Sequence, residues 1–402
     1  MNILHISTSD RGGAAIAALR QHQALLQAGI DSKFLCLNKS GVDIPEVYPF
    51  QRPSYSLFLK GLHKLGVYHT QADKNQKDLN QLKGKYKMFT FPRTDFNVME
   101  HPLVQKTDII NLHWVGNFLD WPSFFKGINK PVVWTLHDMN PFQGGFHYVE
   151  DKIRNAASFS SLENKLLEEK IRSLAGFKNL CIVAPSQWLV NESQKSTLFR
   201  DYPHRHIPYS LDLNIFKPFD QYFARKVFDL PQNKKILLFV SQSTSDRRKG
   251  LNLLAEAFKM IQNKEDVMVV AIGGKPKKSG LFQNVHFLGS IHGERLMRLA
   301  YAAADAFVIP SREDNLPNVM LEALACGTPV IGYPIGGVKE TIRSGINGLV
   351  ADEVSPLALN NAIMEFFQQT FDTNAIRKFA EEQFHPKVQA QKYMELYQSC
   401  LV

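Results

Sequence analysis

Residues 309–336 read IPSREDNLPNVMLEALACGTPVIGYPIG, and this stretch decides the fold class of the chain. An apolar run that ends at Ile309 is typical of a buried strand, and residues 329–333 have the same character. Between them lies a loop with two adjacent acids, Glu313 and Asp314, followed by a helical pattern. In open α/β sheets, ligands bind at the loops outside the carboxyl ends of the strands. The stretch therefore predicts an α/β sheet with a ligand-binding loop at this edge.

The helix inside this stretch has boundary signals of its own. Asn315 is a good N-cap residue, Pro317 suits the first helical turn, and Gly327 suits the end. A further acid, Glu322, lies on the helix, eight residues after Asp314. Because a helix N-terminus favours anions, we expect an anionic ligand near the loop that precedes it.

Length and composition indicate a globular protein of two or three domains. The 402 residues are 44% hydrophobic and 21% charged, which is ordinary for packed domains. The four cysteines are scattered without CxxC spacing, which disfavours a zinc site or a disulfide framework and favours a reducing compartment. No basic leader and no apolar run of about 18 residues is present, so we expect a cytoplasmic protein without a signal peptide or a spanning helix.

The net charge of +9 is concentrated in residues 52–93, where nine Lys and Arg face two Asp and leave +7. Such an excess favours an anionic partner. No zinc-finger, RNP or helix-turn-helix pattern is present, so nucleic acid is not expected. Leu57, Leu62 and Leu65 form one apolar helical face here, with lysines off it. Two interpretations remain: an interfacial helix on an acidic membrane surface, or a helix packed on its own domain.

The rest of the chain alternates strands and helices in two blocks. The first begins with a strand from Asn2, a loop containing Gly12 and Gly13, and a helix. Only this glycine pair is present, and a tight turn explains it as well as a phosphate site does. Two later strands end in His113 and His137, and we expect both at the same edge of the sheet. His147 is a weaker candidate.

The acid stretch resembles the signature of the family-4 retaining glycosyltransferases, which have the GT-B fold. The shared features are an acid, seven residues, Glu322, and then Ala-x-Ala-x-Gly-x-Pro-Val. The resemblance implies that Asp314, Asn315 and Leu316 face the transferred sugar, and that Glu322 holds the ribose of the nucleotide. The family usually has Glu at the first acid and Gly-Phe-Gly after it, where this chain has Asp and Asn-Leu-Pro.

The resemblance also implies the domain organisation. We expect two Rossmann-like domains facing each other across a cleft, residues 1–210 receiving the acceptor and residues 211–385 binding the donor. The C-terminal helix, residues 386–402, is expected to cross back and pack on the first domain.

Further site residues follow from the same resemblance. Arg248 and Lys249, with Arg247 as a less certain third cation, are placed on the donor diphosphate, after the first strand of the second block. His137 is placed on the donor sugar. Gly12 and Gly13 are placed at the donor or the acceptor.

The function implied is a hexosyltransferase-type enzyme that transfers a sugar, with retention, from a UDP- or GDP-linked donor. The acceptor is a glycan or a lipid-linked glycan of bacterial surface-polysaccharide assembly. No cofactor or metal is expected, and the cytoplasmic protein associates peripherally with the inner face of the membrane. Two alternatives stay open: a GT-B nucleotide-sugar epimerase, and a catalytically silent nucleotide-sugar-binding subunit.

Overall fold

The computed structural model describes residues 1–41, 43–274 and 284–401. The chain divides into two compact units. Unit 1 comprises Met1–Ile207 and Ala390–Val402, and unit 2 comprises Pro208–Gln389. The division lies close to Ser210, where the sequence places the domain break.

Unit 1 is built on a seven-stranded parallel sheet with the order β3-β2-β1-β4-β5-β6-β7. Its strands are β1 (Asn2–Ser9), β2 (Asp31–Asn38), β3 (Val47–Pro49), β4 (Ile109–Leu112), β5 (Val132–Thr135), β6 (Leu180–Ala184) and β7 (His204–His206). The central strands are buried throughout because helices cover both faces, which explains their continuous apolar sequences.

The last strand of unit 1 is β7, at one edge of the sheet. β7 pairs Ile182 with His204 and Ala184 with His206. Pro208 has no amide hydrogen to donate to such a ladder, so the strand ends before it.

In the described part of its first segment, Met1–Ile207, unit 1 has eight helices. They are α1 (Gly13–Gln27), α2 (Leu57–Lys64), α3 (Gln71–Asn80), α4 (Pro102–Lys106), α5 (Trp121–Gly127), α6 (Val149–Arg154), α7 (Ala156–Leu174) and α8 (Gln187–Lys195). Short 3-10 turns lie at Val98–Glu100 and Asn140–Phe142. An aromatic core joins them to the sheet: the Trp121 and Trp134 ring centroids are 4.7 Å apart.

Unit 2 repeats the arrangement with six parallel strands in the order β10-β9-β8-β11-β12-β13. The strands are β8 (Lys235–Ser243), β9 (Val267–Gly274), β10 (Val285–Gly289), β11 (Ala306–Ile309), β12 (Val330–Gly332) and β13 (Gly348–Val350). The helices of unit 2 are α9 (Gln221–Val227), α10 (Leu251–Met260), α11 (Glu294–Ala303), α12 (Asn318–Ala325), α13 (Gly336–Thr341), α14 (Pro356–Phe366) and α15 (Thr373–Phe384). The last helix, α16 (Pro386–Cys400), begins in unit 2 and continues into the second segment of unit 1.

Each sheet has one topological switch point. In unit 1 the chain moves outward from β1 to one edge and then returns to β4 on the other side; in unit 2 it does the same from β8 to β11. The loops after the two central strands therefore diverge and leave a crevice at the carboxyl ends of the strands. These are the doubly wound sheets of Rossmann-like domains, as the sequence predicts.

The start of α12 differs from the prediction. Pro317 occupies the N-cap position with extended dihedrals, and no side chain caps the helix. Asn315 lies two residues earlier and is held in the loop, because its carbonyl accepts a hydrogen bond of 2.7 Å from the Gly337 amide. The end agrees with the prediction: the helix stops before Gly327, whose amide bonds the Leu324 carbonyl at 2.9 Å.

The last helix packs on unit 1, as the resemblance implies. The Tyr397 hydroxyl lies 2.6 Å from Asn111 Oδ1, and the Tyr393 hydroxyl lies 3.0 Å from Thr135 Oγ1. Both tyrosines are fully buried together with Ile3 and Val133 of the sheet. Val402, at the end of the predicted span, is outside the described residues.

The helix α2 buries none of its residues completely. Leu62 is half-buried, whereas Leu57, Phe58, Leu65 and Val67 expose between 69% and 86% of their surface. Most of the predicted apolar face is therefore exposed, which favours the interfacial interpretation over a helix packed on its own domain. No helix in the described parts of the chain has the length and apolarity needed to cross a bilayer.

Candidate active site

The switch point of unit 2 brings a basic turn against the end of β11. The turn Arg247–Lys249 is a 3-10 helix, and Asp246 caps it by accepting a 3.0 Å hydrogen bond from the Arg248 amide. Gly250 follows with φ +71°, and a Cβ atom there would lie 1.8 Å from the carbonyl oxygen of Pro310. Only glycine allows this approach, so the turn is fixed against the strand that leads into the acid loop.

The basic turn and the acid loop form one charged cluster, although they are 65 residues apart. Lys249 Nζ lies 2.5 Å from Asp314 Oδ2, and Arg248 Nη1 lies 3.5 Å from Asp314 Oδ1. Arg248 also donates a 2.8 Å hydrogen bond to the Glu313 carbonyl, and its own carbonyl accepts one of 2.8 Å from the Arg312 amide. The structure thus brings three of the sequence-predicted residues, Arg248, Lys249 and Asp314, into direct contact.

The cluster is largely withdrawn from water. The side chains of Lys249 and Asp314 are 23% and 13% exposed. Burial disfavours the Asp314 carboxylate, but the charges of Lys249 and Arg248 outweigh this and lower its pKa. Burial also lowers the pKa of Lys249, and Asp314 opposes that shift. Asp314 is therefore ionised at neutral pH, with its cations fixed beside it.

The acid loop is braced from its other side by the start of α13. Gly336 has φ +42°, and a Cβ atom there would lie 1.9 Å from the Asp314 carbonyl oxygen. Ser311 Oγ donates to Asp314 Oδ2 at 3.3 Å. Asn315 and Leu316 are buried directly after the acid. The loop is held by contacts on both sides, which suits a site that must not rearrange during a reaction.

Glu322 is buried on α12 and faces the interior of unit 2. Its Oε2 accepts a 2.9 Å hydrogen bond from the hydroxyl of Tyr301, a fully buried residue of α11. This bond fixes the orientation of the carboxylate on the helix that follows the acid loop. Arg247 completes the basic turn, at the start of the short 3-10 helix.

At the carboxyl edge of the sheet in unit 1, two neutral histidine rings meet beside the Asp138 carboxylate. His113 follows β4 and His137 follows β5, and their rings are joined by a 3.1 Å contact between Nδ1 and Nε2. Strand-end positions alone predict this meeting. Burial lowers the pKa of His137 to about 4, and the Asp138 charge opposes the shift only in part. Gly12, with φ +92°, precedes α1 at the end of β1, and Gly13 opens that helix.

The loop after His137 is organised by Asp138, a residue that sequence reasoning missed. Asp138 Oδ2 accepts hydrogen bonds from His147 Nδ1 at 2.7 Å and from Trp114 Nε1 at 2.9 Å. Its Oδ1 accepts one from the Asn140 amide at 3.0 Å. The weaker candidate His147 is thus tied to the loop of His137 through a carboxylate.

Two buried charges of α7 hold the same loop and were also missed. The Glu163 carboxylate accepts from the amides of Gly144 and Gly145 at 2.8 and 2.7 Å. Lys170 Nζ donates to the carbonyls of Asn140 and Gln143 at 2.6 and 2.9 Å, and burial lowers its pKa to about 7. A signal was present in the sequence: both residues lie on the helical face whose apolar members are Phe159, Leu166 and Leu174.

Metal-ligating side chains do not converge in groups of three or more within residues 1–41, 43–274 and 284–401.

Comparison with known families identifies part of this arrangement. Residues 234–369 match the family described as Glycosyl transferases group 1. The match contains the basic turn, the acid loop and Glu322. This stretch is similar to group 1 glycosyl transferase domains. The resemblance to family-4 glycosyltransferases, drawn first from the spacing of Asp314 and Glu322, is thereby confirmed.

Curated relatives extend the likeness beyond the group 1 domain. A "D-inositol 3-phosphate glycosyltransferase" of Streptosporangium roseum is 25% identical over 370 residues, which are 87% of this chain and 79% of that protein. An "Uncharacterized glycosyltransferase" of Methanocaldococcus jannaschii is 26% identical over 261 residues, which are 61% of this chain. The aligned part spans 62% of the length of that archaeal protein.

Solved structures share the fold over nearly the whole chain. A sucrose-phosphate synthase from Thermosynechococcus elongatus superposes with a TM-score of 0.66 at 19% identity, covering 99% of both chains. Anabaena HepE, in complex with UDP and glucose, gives a TM-score of 0.65 at 17% identity, covering 99% of this chain and 100% of that one. The chain therefore has the GT-B fold, with two Rossmann-like domains and the group 1 domain as the second.

Proposed function

We propose that the protein transfers a sugar, with retention of anomeric configuration, from a nucleoside-diphosphate donor to a glycan or lipid-linked acceptor, without a metal ion. The observation that carries this proposal is the cluster of Lys249, Arg248 and Asp314 at the switch point of unit 2. It combines two fixed cations with a carboxylate in a nearly dry site. The match of this region to a group 1 domain and the UDP held by Anabaena HepE support the same assignment.

The cations suit the leaving group of the reaction. When the bond between the anomeric carbon and the phosphate oxygen breaks, the nucleoside diphosphate takes the electron pair and gains negative charge. Lys249 and Arg248 stabilise that charge, with the helix N-terminus behind the basic turn, so a divalent cation is not required. Their ion pairs with Asp314 keep both side chains in place before the donor binds.

The carboxylates suit the rest of the donor. Asp314 accepts hydrogen bonds from sugar hydroxyls, together with the backbone of Asn315 and Leu316, while Glu322 binds the ribose. In unit 1, His137 bonds the sugar as a neutral ring, and Gly12 and Gly13 provide backbone amides. The acceptor oxygen attacks from the same side as the departing diphosphate, which takes its proton. Retention then needs no covalent nucleophile.

Thermal unfolding with UDP, GDP or ADP in excess chelator tests donor binding. The matching nucleotide at 100 times its dissociation constant should raise the free energy of unfolding by about 2.7 kcal/mol. Loss of the stabilisation in chelator would show that a metal is needed, and no response to any nucleotide would overturn the donor site. Slow hydrolysis of the sugar nucleotide by the pure protein separates an enzyme from a silent binding subunit, and NMR of the anomeric product checks retention.

We also propose that the lipid-linked acceptor is met at an acidic membrane surface through α2. The helix exposes Leu57, Phe58 and Leu65, and Lys60 and Lys64 are exposed on the same short helix. Residues 52–93 carry +7, so an anionic phospholipid surface complements both the apolar and the basic character. In this proposal the protein works at the inner face of the cytoplasmic membrane, in the assembly of a surface polysaccharide.

Vesicle sedimentation tests this surface. Binding to phosphatidylglycerol vesicles should exceed binding to phosphatidylcholine vesicles and should weaken as salt rises, because the screening length falls to about 8 Å at physiological ionic strength. Phe58→Ser should reduce binding at every salt concentration, since it removes apolar contact and no charge. Equal binding to both vesicle types would contradict the proposal.

A further inference from the structure

A buried chain of three histidines lies behind the carboxyl edge of the sheet in unit 1. His5 Nδ1 lies 2.9 Å from His113 Nε2, and His113 Nδ1 lies 3.1 Å from His137 Nε2. His5 and His113 are buried, with 0% and 1% of their surface exposed. Because each neutral imidazole carries one ring hydrogen, the direction of the hydrogen bonds along this chain is set by what the inner members contact.

Asn111 fixes that direction. Its Nδ2 lies 3.1 Å from the Leu112 carbonyl, which can only accept, so the amide orientation is determined. Its Oδ1 accepts from the Tyr397 hydroxyl at 2.6 Å, which agrees with that orientation. The same Nδ2 faces His113 Nε2 at 3.3 Å. The same Nδ2 also lies 3.0 Å from Thr135 Oγ1, so its two hydrogens are shared among three acceptors. Because the amide presents only hydrogens to His113 Nε2, this contact favours a lone pair on Nε2 and the ring hydrogen on Nδ1.

The inner end of the chain gives a second, independent indication. His5 Nε2 is buried and has no hydrogen-bond partner among the described residues. If the chain ran the other way, His5 would accept at Nδ1 and bury an unpaired N–H at Nε2, which proteins rarely do. With His5 donating from Nδ1, only an acceptor lone pair is left unpaired. Burial and the neighbouring rings lower the pKa of His113 and of His5, so all three rings stay neutral.

We propose that His113, oriented by Asn111, is a positioning residue that holds His137 in its Nδ1-protonated tautomer. His113 donates to His137 Nε2, and the other ring nitrogen of His137 is then a hydrogen-bond donor. A donor is what an oxygen lone pair of a bound sugar requires, whereas the opposite tautomer would offer a second acceptor. This inference rests on the proposed role of His137 in binding the donor sugar.

Nitrogen-15 NMR of ring-labelled histidine tests the tautomer in the ligand-free protein, because protonated and unprotonated ring nitrogens have well-separated shifts. The His137 signals are identified by their loss in His137→Gln. We expect Nδ1 of His137 to be protonated and Nε2 to be unprotonated. The opposite pattern in the wild-type protein overturns the proposal without any further variant, whether or not glycosyl transfer is detected.

Two substitutions at His113 separate positioning from packing. His113→Phe keeps a ring but has no donor, and should lower kcat/KM about 10-fold, as expected for one lost hydrogen bond, while mixing the His137 tautomers. His113→Asn keeps an N–H at the position of Nδ1 and should restore the tautomer and most of the activity. His286→Asn, at an exposed histidine of unit 2, is the matched control.

Equal activity and an unchanged His137 tautomer in His113→Phe would overturn the proposal. A loss of activity in both His113 variants with the wild-type tautomer retained would also overturn it, since His113 would then act through packing. If wild-type protein shows the predicted tautomer but neither transfers nor hydrolyses a sugar nucleotide, the proposed function has failed and the positioning of His137 stands.

Discussion

The carboxyl edges of the two parallel sheets are built in the same way but differ in the side chains that meet there. In unit 2, the ends of β8 and β11 bring together Lys249, Arg248 and Asp314, all charged. In unit 1, the ends of β4 and β5 bring together His113 and His137, both neutral. The fold therefore provides a crevice in each unit but does not determine which side chains line it. That choice is made by the few residues that follow each strand.

In the proposed function, this difference matches two tasks of sugar transfer. A departing diphosphate needs fixed positive charge, whereas a sugar hydroxyl needs a directed hydrogen bond and no net charge. The following substitutions and titrations test whether the charged and neutral edges are as distinct in function as they are in structure.

Lys249→Ala should have the largest effect. It removes positive charge from the leaving group and leaves Asp314 with Arg248 as its remaining cation, so kcat should fall by about 10²–10³. Lys259→Ala, at an exposed lysine of the last turn of α10, is the control and should keep normal kinetics. A raised KM with normal kcat would show that Lys249 binds the donor but does not act in the chemical step.

Acid titration should distinguish the neutral edge from the charged one. The unfolded histidine pKa is near 6.5 and that of folded His137 is about 4, so the unfolded state binds more protons between these values. His137 alone should then lower the free energy of unfolding of unit 1 by about 3 kcal/mol as pH drops from 6.5 to 4, and the buried rings of His5 and His113 should add to that fall. The contribution of the Asp314 ion pairs to stability also decreases as pH falls, but it is lost only below the ordinary pKa of an aspartate, near 4.

Tryptophan fluorescence can follow unit 1 alone, since all four tryptophans lie between residues 114 and 188. Denaturant unfolding at each pH gives the slope of the free energy of unfolding against pH, and this slope should be smaller in His137→Gln. An unchanged slope in that variant would mean that His137 is not held neutral by burial.

Asp314→Asn should cost more activity than Glu313→Gln, although the two acids are adjacent. Asp314 loses a charged acceptor for a sugar hydroxyl, which corresponds to about 1.5–3 kcal/mol in the transition state. Arg248 bonds the Glu313 carbonyl, and the spacing to Glu322 assigns the sugar contact to Asp314 and not to the Glu313 side chain. Asp314→Glu should keep part of the turnover. If Glu313→Gln is inactive and Asp314→Asn is nearly normal, the register of the sugar site is wrong by one residue.

Paired substitutions of Lys60 and Lys64 by Gln should have the smallest effect. Each basic residue near an anionic surface contributes about 1 kcal/mol, so each loss should weaken binding to acidic vesicles about fivefold at low salt. Catalysis with a water-soluble acceptor should not change. A change in that activity would mean that α2 takes part in the donor or acceptor site and not only in docking.

The alternation of strands and helices was predictable because buried parallel strands are short apolar runs. The meeting of His113 and His137 was predictable from the same rule, since both follow neighbouring strands. The contact of Lys249 with Asp314, which are 65 residues apart, was not, because it depends on the pairing of β8 with β11. Neither the pairing nor its register can be derived from local sequence.

Local signals also failed where tertiary contacts outweighed them. Asn315 is a good N-cap by type, but the contact of its carbonyl with Gly337 holds it in the loop. Charged residues such as Glu163 and Lys170 are typical of solvent-exposed positions. In this protein both are buried in unit 1, because they form hydrogen bonds with backbone groups of the loop after His137. Reading the helical face as well as the residue type would have found these two.

The position of α16 has a consequence for how the protein is made. During synthesis, residues 1–207 leave the ribosome long before Ala390–Val402, which complete the same unit. Until then Asn111 has no Tyr397 and Thr135 has no Tyr393. The interior of the nascent first unit therefore lacks these two hydrogen-bond partners until residues 208–389 have been translated. Chaperone dependence should be concentrated in that interval, and supplying residues 386–402 as a separate peptide should shorten it.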